Sequence, residues 1–388
     1  MVSFPSRVPN RLESNRLASA RALAGEIPYD LSISNPTVCG LPYPDDLLSE
    51  LANPDGLRYS PDPLGPVRAR RAVSDAYTQK RIHVDPDNVV LTASTSEAYS
   101  LLFKLLCDPD DTIVTPTPSY PLFDQLCRLD GLRTHPLPLD PNDDWRPIFG
   151  ATDTAPENTR AVIVVHPNNP TGSHIHPEDG ATLAKICRDR GWALVADEVF
   201  LPFVLDGGPG SETSFASRND VLTFTLGGLS KSIGLPQLKL SWMVVGGPGD
   251  LVTETLDRLE YIADAYLSVN TPVALAVPHL LAAATTIRSA ITDRCRTNLE
   301  TLRSMAASLP AACVPPVGGG WSAILRLPAV LDDEEMAIRL LTERGVAVQP
   351  GFLYDLPTEG VMVLSLLTPE PVWRAGLEEI FDAVRGWI

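Results

Sequence analysis

The residues most able to do chemistry in this 388-residue sequence lie in the segment TLGGLSKSIGLPQLKLSW, positions 225 to 242. It holds two of the chain's five lysines, Lys231 and Lys239, among small and apolar residues. A lysine amine kept away from water can form an imine with a carbonyl group. Alternatively, such a lysine extends its charged end to the surface or interacts with the end of a helix. The segment alone is compatible with both interpretations.

Other polar groups follow directly after short apolar runs that are typical of buried strands. The run WALVA (192–196) is followed by Asp197, and the run AVIVV (161–165) by the turn HPNNPTG, which contains Asn169. A buried carboxylate is costly unless it is paired, so we expect Asp197 to face a cation or a protonated nitrogen. The amide of Asn169 is placed to reach a ligand ring, although a plain loop is the competing interpretation.

After the run VVLT (89–92), the residues Ser94, Thr95 and Ser96 open a helical pattern. The free amides and the dipole at a helix N-terminus can bind a phosphate, and an ordinary helix cap is the alternative. Tyr120, in PTPSYPLF, offers an aromatic ring for stacking, and Tyr59, in GLRYSPDPLG, lies in a loop able to reach a phosphate. A phosphate site, an amide, a carboxylate and a lysine together match pyridoxal 5′-phosphate (PLP), which has a phosphate, a phenolic oxygen, a ring nitrogen and an aldehyde.

These groups need a scaffold that brings the ends of several strands together. Strands that are apolar on both faces and alternate with helical patterns predict an α/β fold, with a mainly parallel (mixed) sheet covered by helices on both faces. In such sheets ligands bind at the carboxyl ends of the strands. We expect an N-terminal arm over 1–45, a large cofactor-binding domain over 46–275, and an interdomain helix with a small C-terminal domain over 276–388. The N- and C-terminal segments would together form a smaller α+β domain.

In their order and spacing, the motifs YSPDPLG, LTASTSEA, PSYPLF, HPNNPTG, ADEVF and LSKSIGLPQLKLSW resemble those of the fold-type I, PLP-dependent aminotransferases of class I/II. The resemblance runs from residue 34 to the C-terminal helix. It implies a homodimer with shared active sites, in which Tyr59 reaches the phosphate in the neighbouring subunit. It also implies the following roles: Lys231 as the Schiff-base lysine, Asp197 as the partner of the pyridine nitrogen, Asn169 as the partner of the phenolic oxygen, Tyr120 as the stacking ring, and Ser94, Thr95, Ser96 and Ser230 as phosphate contacts.

The sequence departs from the family pattern at three positions. Phe200 replaces a tyrosine whose hydroxyl stabilises the phenolate of the ring, and Lys239 replaces a phosphate-binding arginine. Val363 replaces the arginine that binds the substrate carboxylate, and the sequence has no arginine between Arg344 and Arg374. The substrate therefore meets a different group at this point or presents no carboxylate there. The candidates for substrate binding are Asn35, Trp321 and Arg326.

The bulk composition limits the possible partners. A formal charge of −17 argues against nucleic acid or an anionic membrane as the main partner. Six scattered cysteines without a CxxC pair indicate reduced thiols rather than disulfides or a zinc site, so no metal is expected. We identify no signal peptide and no apolar stretch long enough to span a bilayer, which predicts a cytoplasmic protein.

The leading functional interpretation is a PLP-dependent aminotransferase that takes a small amino donor and an oxo acceptor. A decarboxylase, a β-lyase or a cyclising enzyme of the same fold is the alternative, because fold does not determine reaction type. A regulator that uses this fold only to bind its cofactor is disfavoured. Such proteins carry a DNA-binding module, and this N-terminal segment is short and the chain acidic.

Overall fold

The computed structural model of the protein describes residues 5–9, 14–267, 269–310 and 312–388. Its helices are α1 (Arg16–Leu23), α2 (Val67–Thr78), α3 (Thr95–Leu106), α4 (Phe123–Leu129), α5 (Pro177–Arg190), α6 (Leu229–Ser232), α7 (Gly249–Asp264), α8 (Thr271–Ala306), α9 (Asp333–Arg344) and α10 (Glu370–Trp387). Its strands are β1 (Tyr29–Asp30), β2 (Val89–Thr92), β3 (Thr112–Thr117), β4 (Arg133–Asp140), β5 (Arg146–Pro147), β6 (Thr159–Val165), β7 (Ala193–Asp197), β8 (Thr223–Gly228), β9 (Ser241–Gly246), β10 (Ser322–Arg326), β11 (Val346–Ala347), β12 (Gln349–Pro350) and β13 (Val361–Ser365).

The central sheet has eight strands in the order β2-β9-β8-β7-β6-β3-β4-β5. The neighbours from β8 through β7, β6 and β3 to β4 are all parallel. Strand β9 is antiparallel to both β8 and β2, so β2 runs in the same direction as the parallel group, and β5 is antiparallel to β4. The predicted mainly parallel, mixed sheet is confirmed.

Helices cover both faces of this sheet, and the strands alternate their side chains between them. In β6, Ile163 and Val165 belong to the core beneath α3 and α7, whereas Val162 and Val164 belong to the core beneath α5. All four side chains are buried. Burial on both faces explains why the strands read as continuous apolar runs rather than as alternating patterns.

Two smaller sheets join the ends of the chain. Strand β1 pairs in parallel with β11, which places the N-terminal segment against the C-terminal one. Strands β10, β13 and β12 form an antiparallel sheet with β13 in the centre. These pairings, together with α9 and α10, give the α+β unit that the sequence predicts.

Helix α8 runs without interruption from the central sheet towards the C-terminal segment, over residues 271 to 306. The predicted domain boundary at residue 275 therefore falls inside a helix. Contrary to the sequence interpretation, α8 contains a window long and apolar enough to cross a membrane by length and composition. Residues along its whole length, from Val273 to Ala306, are nevertheless buried in the main hydrophobic core, which accounts for its apolar character.

Candidate active site

The predicted site residues follow strands whose carboxyl ends lie at one edge of the central sheet. Asp197 is the last residue of β7, and Lys231 lies in α6, directly after β8. Asn169 follows β6 and Tyr120 follows β3. These four strands are parallel neighbours in the sheet, so their ends converge. Thr95 follows β2, which runs in the same direction.

A cavity of about 350 Å³ opens at this edge, a size typical of small-molecule sites. Seven of the predicted residues line it: Thr95, Tyr120, Asn169, Asp197, Phe200, Lys231 and Trp321. The position where the family pattern has a carboxylate-binding arginine, Val363, lines it as well. Residues almost 270 positions apart thus contribute to one cavity.

Asp197 is held by two hydrogen bonds in a buried environment. The Tyr99 hydroxyl donates to Oδ2 at 3.0 Å, and the Val199 backbone N–H donates to Oδ1 at 3.1 Å. Burial raises the pKa of the Asp197 carboxyl, while these hydrogen bonds and the Lys231 charge act in the opposite direction. The carboxylate is thereby fixed in place and needs a cationic partner in the cavity.

The Lys231 amine lies beside a pair of aromatic rings that contact each other. Its Nζ is 5.4 Å from the Phe200 ring centroid and 5.0 Å from that of Trp321, and the two rings meet edge to face. Burial lowers the pKa of the Lys231 amine, and the nearby Asp197 charge raises it in part. The net lowering increases the fraction of free, nucleophilic amine.

The first turn of α3 has the arrangement expected of an anion site. Ser94 caps the helix by accepting a hydrogen bond from the Glu97 N–H at 3.0 Å, and the Glu97 carboxylate accepts one from the Ala93 N–H at 2.5 Å. This reciprocal pair is a variant of the capping box, because Glu97 reaches the N–H of Ala93, one residue before the cap, rather than that of Ser94. It occupies the Ser94 hydroxyl in the cap, whereas the backbone N–H groups of Thr95 and Ser96 have no intrahelical partner and remain available.

Two further predicted phosphate contacts lie in adjoining segments. Ser230 is within α6, and Lys239 is exposed, in a left-handed conformation with φ of 49°. The Leu229 N–H donates to the Leu240 carbonyl at 3.0 Å, which holds residues 239 and 240 beside the start of α6. Neither Ser230 nor Lys239 lines the cavity itself.

Asn169 and Tyr120 approach the cavity from loops. The side-chain oxygen Oδ1 of Asn169 accepts a hydrogen bond from the Ser322 hydroxyl at 3.4 Å. Tyr120 is 39% exposed and packs edge to face on Phe123, with 6.0 Å between the ring centroids. A partly exposed ring that lines the cavity is able to stack on a ligand.

Besides Ser94, Ser96, Ser230 and Lys239, three predicted residues do not line the cavity. The Asn35 side chain caps a short 3₁₀ turn by accepting from the Thr37 N–H and hydroxyl. Arg326 lies at the far end of β10 from Ser322, with its guanidinium 5.8 Å from the Trp145 ring centroid. Tyr59 is 71% exposed on the surface of the single chain, which leaves its proposed role in a neighbouring subunit open.

The structure adds residues that the sequence interpretation missed. Tyr99 lies within an apolar helical pattern, which gave no sign of a role in the site. A buried tyrosine hydroxyl requires a hydrogen-bond partner, and the structure shows that this partner is Asp197. The other additions are neutral polar residues of the N-terminal segment and the small sheet. For Gln349 and Ser365, the available signal was an isolated polar residue within an apolar strand pattern. The neutral polar residues of the cavity lining that the sequence interpretation missed are Ser32, Ser34, Ser322, Gln349, Tyr354 and Ser365.

Comparison with known proteins agrees with this geometry. The family model described as aminotransferase class I and II matches residues 43–372. The chain belongs to the class I and II aminotransferase family. The identification from sequence motifs of a fold-type I, PLP-dependent aminotransferase of class I/II is thereby confirmed, and so is the prediction that the protein is an enzyme.

Several curated members of the aminotransferase family resemble this chain over most of its length. Capreomycidine synthase of Streptomyces vinaceus is 32% identical over 322 residues, which cover 82% of this chain and 79% of the relative. Glutamate-pyruvate aminotransferase AlaA of Escherichia coli K12 is 26% identical, covering 92% and 89%. Alanine aminotransferase of Mycobacterium tuberculosis H37Rv is 27% identical, covering 84% and 78%.

Solved structures of aminotransferases share the fold. An aminotransferase from Escherichia coli superimposes with a TM-score of 0.87 at 22% identity, over 100% of this chain and 99% of the other. Alanine aminotransferase from Pyrococcus furiosus gives a TM-score of 0.86 at 21% identity, over 96% and 100%. At these identities the likeness establishes the fold and not the substrate.

Proposed function

We propose that this protein is an aminotransferase that binds PLP at Lys231 and moves an amino group between an amino acid or amine and an oxo acid. The observation that carries the proposal is the position of Lys231 and Asp197 in one cavity, at the ends of adjacent parallel strands. A reactive amine and a buried carboxylate in this arrangement suit a ligand with an aldehyde and a basic ring nitrogen.

The residues around the cavity fit this cofactor in size and in donor chemistry. The available amides of Thr95 and Ser96 would hold the phosphate, with Ser230 and Lys239 beside them. Asn169 would face the phenolic oxygen, and Tyr120 would stack on the ring. The buried indole nitrogen of Trp321 has no acceptor among the described residues. Ser94 would support this site through the helix cap.

When bound, PLP supplies an electrophilic aldehyde and a ring that accepts the electrons of a broken bond at the substrate carbon. Asp197 would keep a proton on the ring nitrogen, because a buried carboxylate stabilises a cationic partner. Lys231 would hold the cofactor through its aldehyde, and its free amine would act as the base that moves a proton at the substrate carbon.

Substrate carboxylate recognition in this enzyme is proposed to be atypical. Val363, in the central strand of the small sheet, is buried and packs near Ile324 and Tyr354. Its position in the cavity lining supports the alignment that places it where the family pattern has an arginine. A valine there cannot bind a carboxylate, so recognition of the substrate has to use other groups.

Amino transfer can be tested with the PLP-loaded protein, a panel of amino acids and amines, and a panel of oxo acids. The expected result is a new amine, detected by mass spectrometry, whose nitrogen derives from a ¹⁵N-labelled donor. Lys231→Ala should abolish transfer, since both the anchoring amine and the base are lost, and Lys185→Ala, in an exposed salt bridge with Asp189, should retain it. Release of the label as ammonia without a new labelled amine would contradict amino transfer.

A cyclising or lyase activity is the second candidate, and a decarboxylase of the same fold belongs with it. The similarity to capreomycidine synthase, at 32% identity over 82% of this chain, supports the cyclising reaction. A member of this group would use the same Lys231 and Asp197 but return the cofactor to its starting form in each cycle. In the labelling experiment it would give a cyclised product, ammonia or carbon dioxide without needing an oxo acid.

We further propose a cytoplasmic homodimer with shared sites and small-molecule substrates, without nucleic acid or membrane as a partner. Tyr59 and the neighbouring Leu57 are exposed, at 71% and 93%, in a loop that a second copy would cover. In the dimer Tyr59 would reach the cofactor phosphate of the other subunit. A monomer in sedimentation of the PLP-loaded protein would contradict this arrangement.

A further inference from the structure

The cavity walls that remain after the cofactor groups are assigned form a neutral, hydrogen-bonding surface. They come from the N-terminal segment before α2 and from the small sheet β10-β13-β12. We call this surface the small-sheet wall, and it consists of Ser32, Ser34, Ser322, Gln349, Tyr354, Val363, Leu364 and Ser365. It carries hydroxyl groups, a carboxamide and aliphatic groups, and no formal charge.

The charge of the whole cavity lining is also balanced without a substrate. Among the described residues that line it, the only cation is Lys231 and the only anion is Asp197, and the proposed reaction uses both. A substrate carboxylate at the small-sheet wall would therefore be a partly desolvated charge without a partner. Leaving a charge unpaired in such an environment is unfavourable.

Arginines of the surrounding segments are engaged elsewhere. Arg288 donates to the Ser232 carbonyl at 2.8 Å, and Arg294 donates to the Cys39 and Leu367 carbonyls at 3.3 and 3.4 Å. Arg326 lies over the Trp145 ring. These three side chains do not line the cavity, and moving one of them there would break the interactions that it makes now. Arg21 donates to the Ser32 hydroxyl of the small-sheet wall at 3.1 Å, and its charge is paired with Asp30.

The wall offers neutral hydrogen-bonding groups where a substrate would need them. Gln349 is opposite Val363 in the β12–β13 pairing. The side-chain oxygen of Gln349 accepts a hydrogen bond from the Tyr354 hydroxyl, which leaves the side-chain NH₂ group as a donor. Ser322 and Ser365 are opposite each other in the β10–β13 pairing. Their hydroxyls donate to the Asn169 side-chain oxygen and the Ile33 carbonyl, so they face a substrate as acceptors. Hydroxyl and amide groups complement a substrate hydroxyl or carbonyl without requiring a charge.

We propose that the substrates of this site carry a neutral polar group, a hydroxyl or a carboxamide, at the place next to the reacting carbon where an amino acid carries its carboxylate. The substrate class is thus amino alcohols and amino amides, with the corresponding oxo compounds as acceptors. This inference rests on the proposed function, since it assigns a substrate class to the same site.

A matched series tests the proposal: L-alanine, L-alaninamide and L-alaninol, which share the amine and the methyl group and differ only at the carboxyl position. Each is mixed with the PLP-loaded protein, and the rate of change of the cofactor absorbance is expressed per concentration of free amine. Alaninamide and alaninol are expected to react about tenfold or more faster than alanine, because only the carboxylate is left unpaired.

Two variants make the test independent of any single substitution. Val363→Arg should shift the preference about tenfold towards alanine, because it supplies a cation for the carboxylate. Val330→Arg, at a position 42% exposed, adds the same charge outside the cavity and should leave the order of the three rates unchanged. Gln349→Met should lower the rate with alaninamide relative to the rate with alanine, because the carboxamide donor is lost. Faster reaction of alanine in the unmodified protein would overturn the inference and leave amino transfer intact. Absence of reaction with every amine and amino acid would overturn both.

Discussion

At the scale of single residues, the site depends on the different environments of Lys231 and Asp197. Burial acts on both but in opposite directions, lowering the pKa of the amine and raising that of the carboxyl. Tyr99 and Val199 hold the carboxylate, and two aromatic rings lie beside the amine. Desolvation therefore makes the amine more nucleophilic and leaves the carboxylate in need of a cationic ligand.

The substitution Phe200→Tyr is predicted to lower the pKa that governs the absorbance of the PLP-loaded protein. A tyrosine hydroxyl donating to the phenolic oxygen of the cofactor would stabilise the negative charge that is uncompensated when the Lys231 nitrogen is unprotonated. One hydrogen bond to a charged group corresponds to a decrease of about one pH unit. The measurement is an absorbance titration against pH.

Phe200→Tyr keeps the aromatic ring 5.4 Å from Nζ, so it isolates the effect of the hydroxyl. Phe352→Tyr, at a position 43% exposed, adds the same group away from the cavity and should leave the titration unchanged. An identical midpoint in Phe200→Tyr and the unmodified protein would refute the prediction.

At the scale of secondary-structure elements, the carboxyl ends of the parallel strands bring the reactive side chains together. The sequence pattern alone predicted β2, β6 and β7 as buried strands, and the rule for carboxyl ends then selected the residues that follow them. The small sheet was not predictable to the same degree. Which face of β10, β12 or β13 meets the cavity depends on how these strands pack on the rest of the chain, so Gln349 and Ser365 were missed.

Asn35 and Arg326, predicted to bind the substrate, lie outside the cavity lining for related reasons. Asn35 is used locally, because an asparagine before a turn readily accepts hydrogen bonds from the backbone two residues on. Arg326 is only four residues from Ser322, but an extended strand of this length separates its ends by about 13 Å. Sequence proximity to a site residue therefore does not place a side chain in the same cavity.

Lys239, in the segment between α6 and β9, supports a prediction for cofactor retention. Lys239→Ala should release PLP about tenfold more readily on dialysis, because one charge-assisted contact to the phosphate is lost. Lys239→Arg should retain PLP at least as well, since its planar group can bind phosphate through two hydrogen bonds. Equal retention by Lys239→Ala and the unmodified protein, measured by absorbance after dialysis, would exclude a role for this residue.

At the scale of the whole molecule, the overall charge and the charge of the site are separate properties. The chain carries a formal charge of −17, yet the described lining of the cavity holds one cation and one anion. The composition predicts which macromolecules the protein avoids, and it does not predict what the cavity binds. The apolar composition of α8 similarly reflects its position in the core, along residues from Val273 to Ala306.

Covalent attachment of PLP at Lys231 is the point on which the proposed chemistry depends. The PLP-loaded protein can be treated with borohydride, digested and mapped by mass spectrometry, and the chain's five lysines make the assignment direct. We predict that the reduced cofactor is found on the peptide containing Lys231 and that Lys231→Ala does not acquire it there. An unmodified Lys231 in the loaded, reduced protein would contradict the assignment of this residue and the proposed function with it.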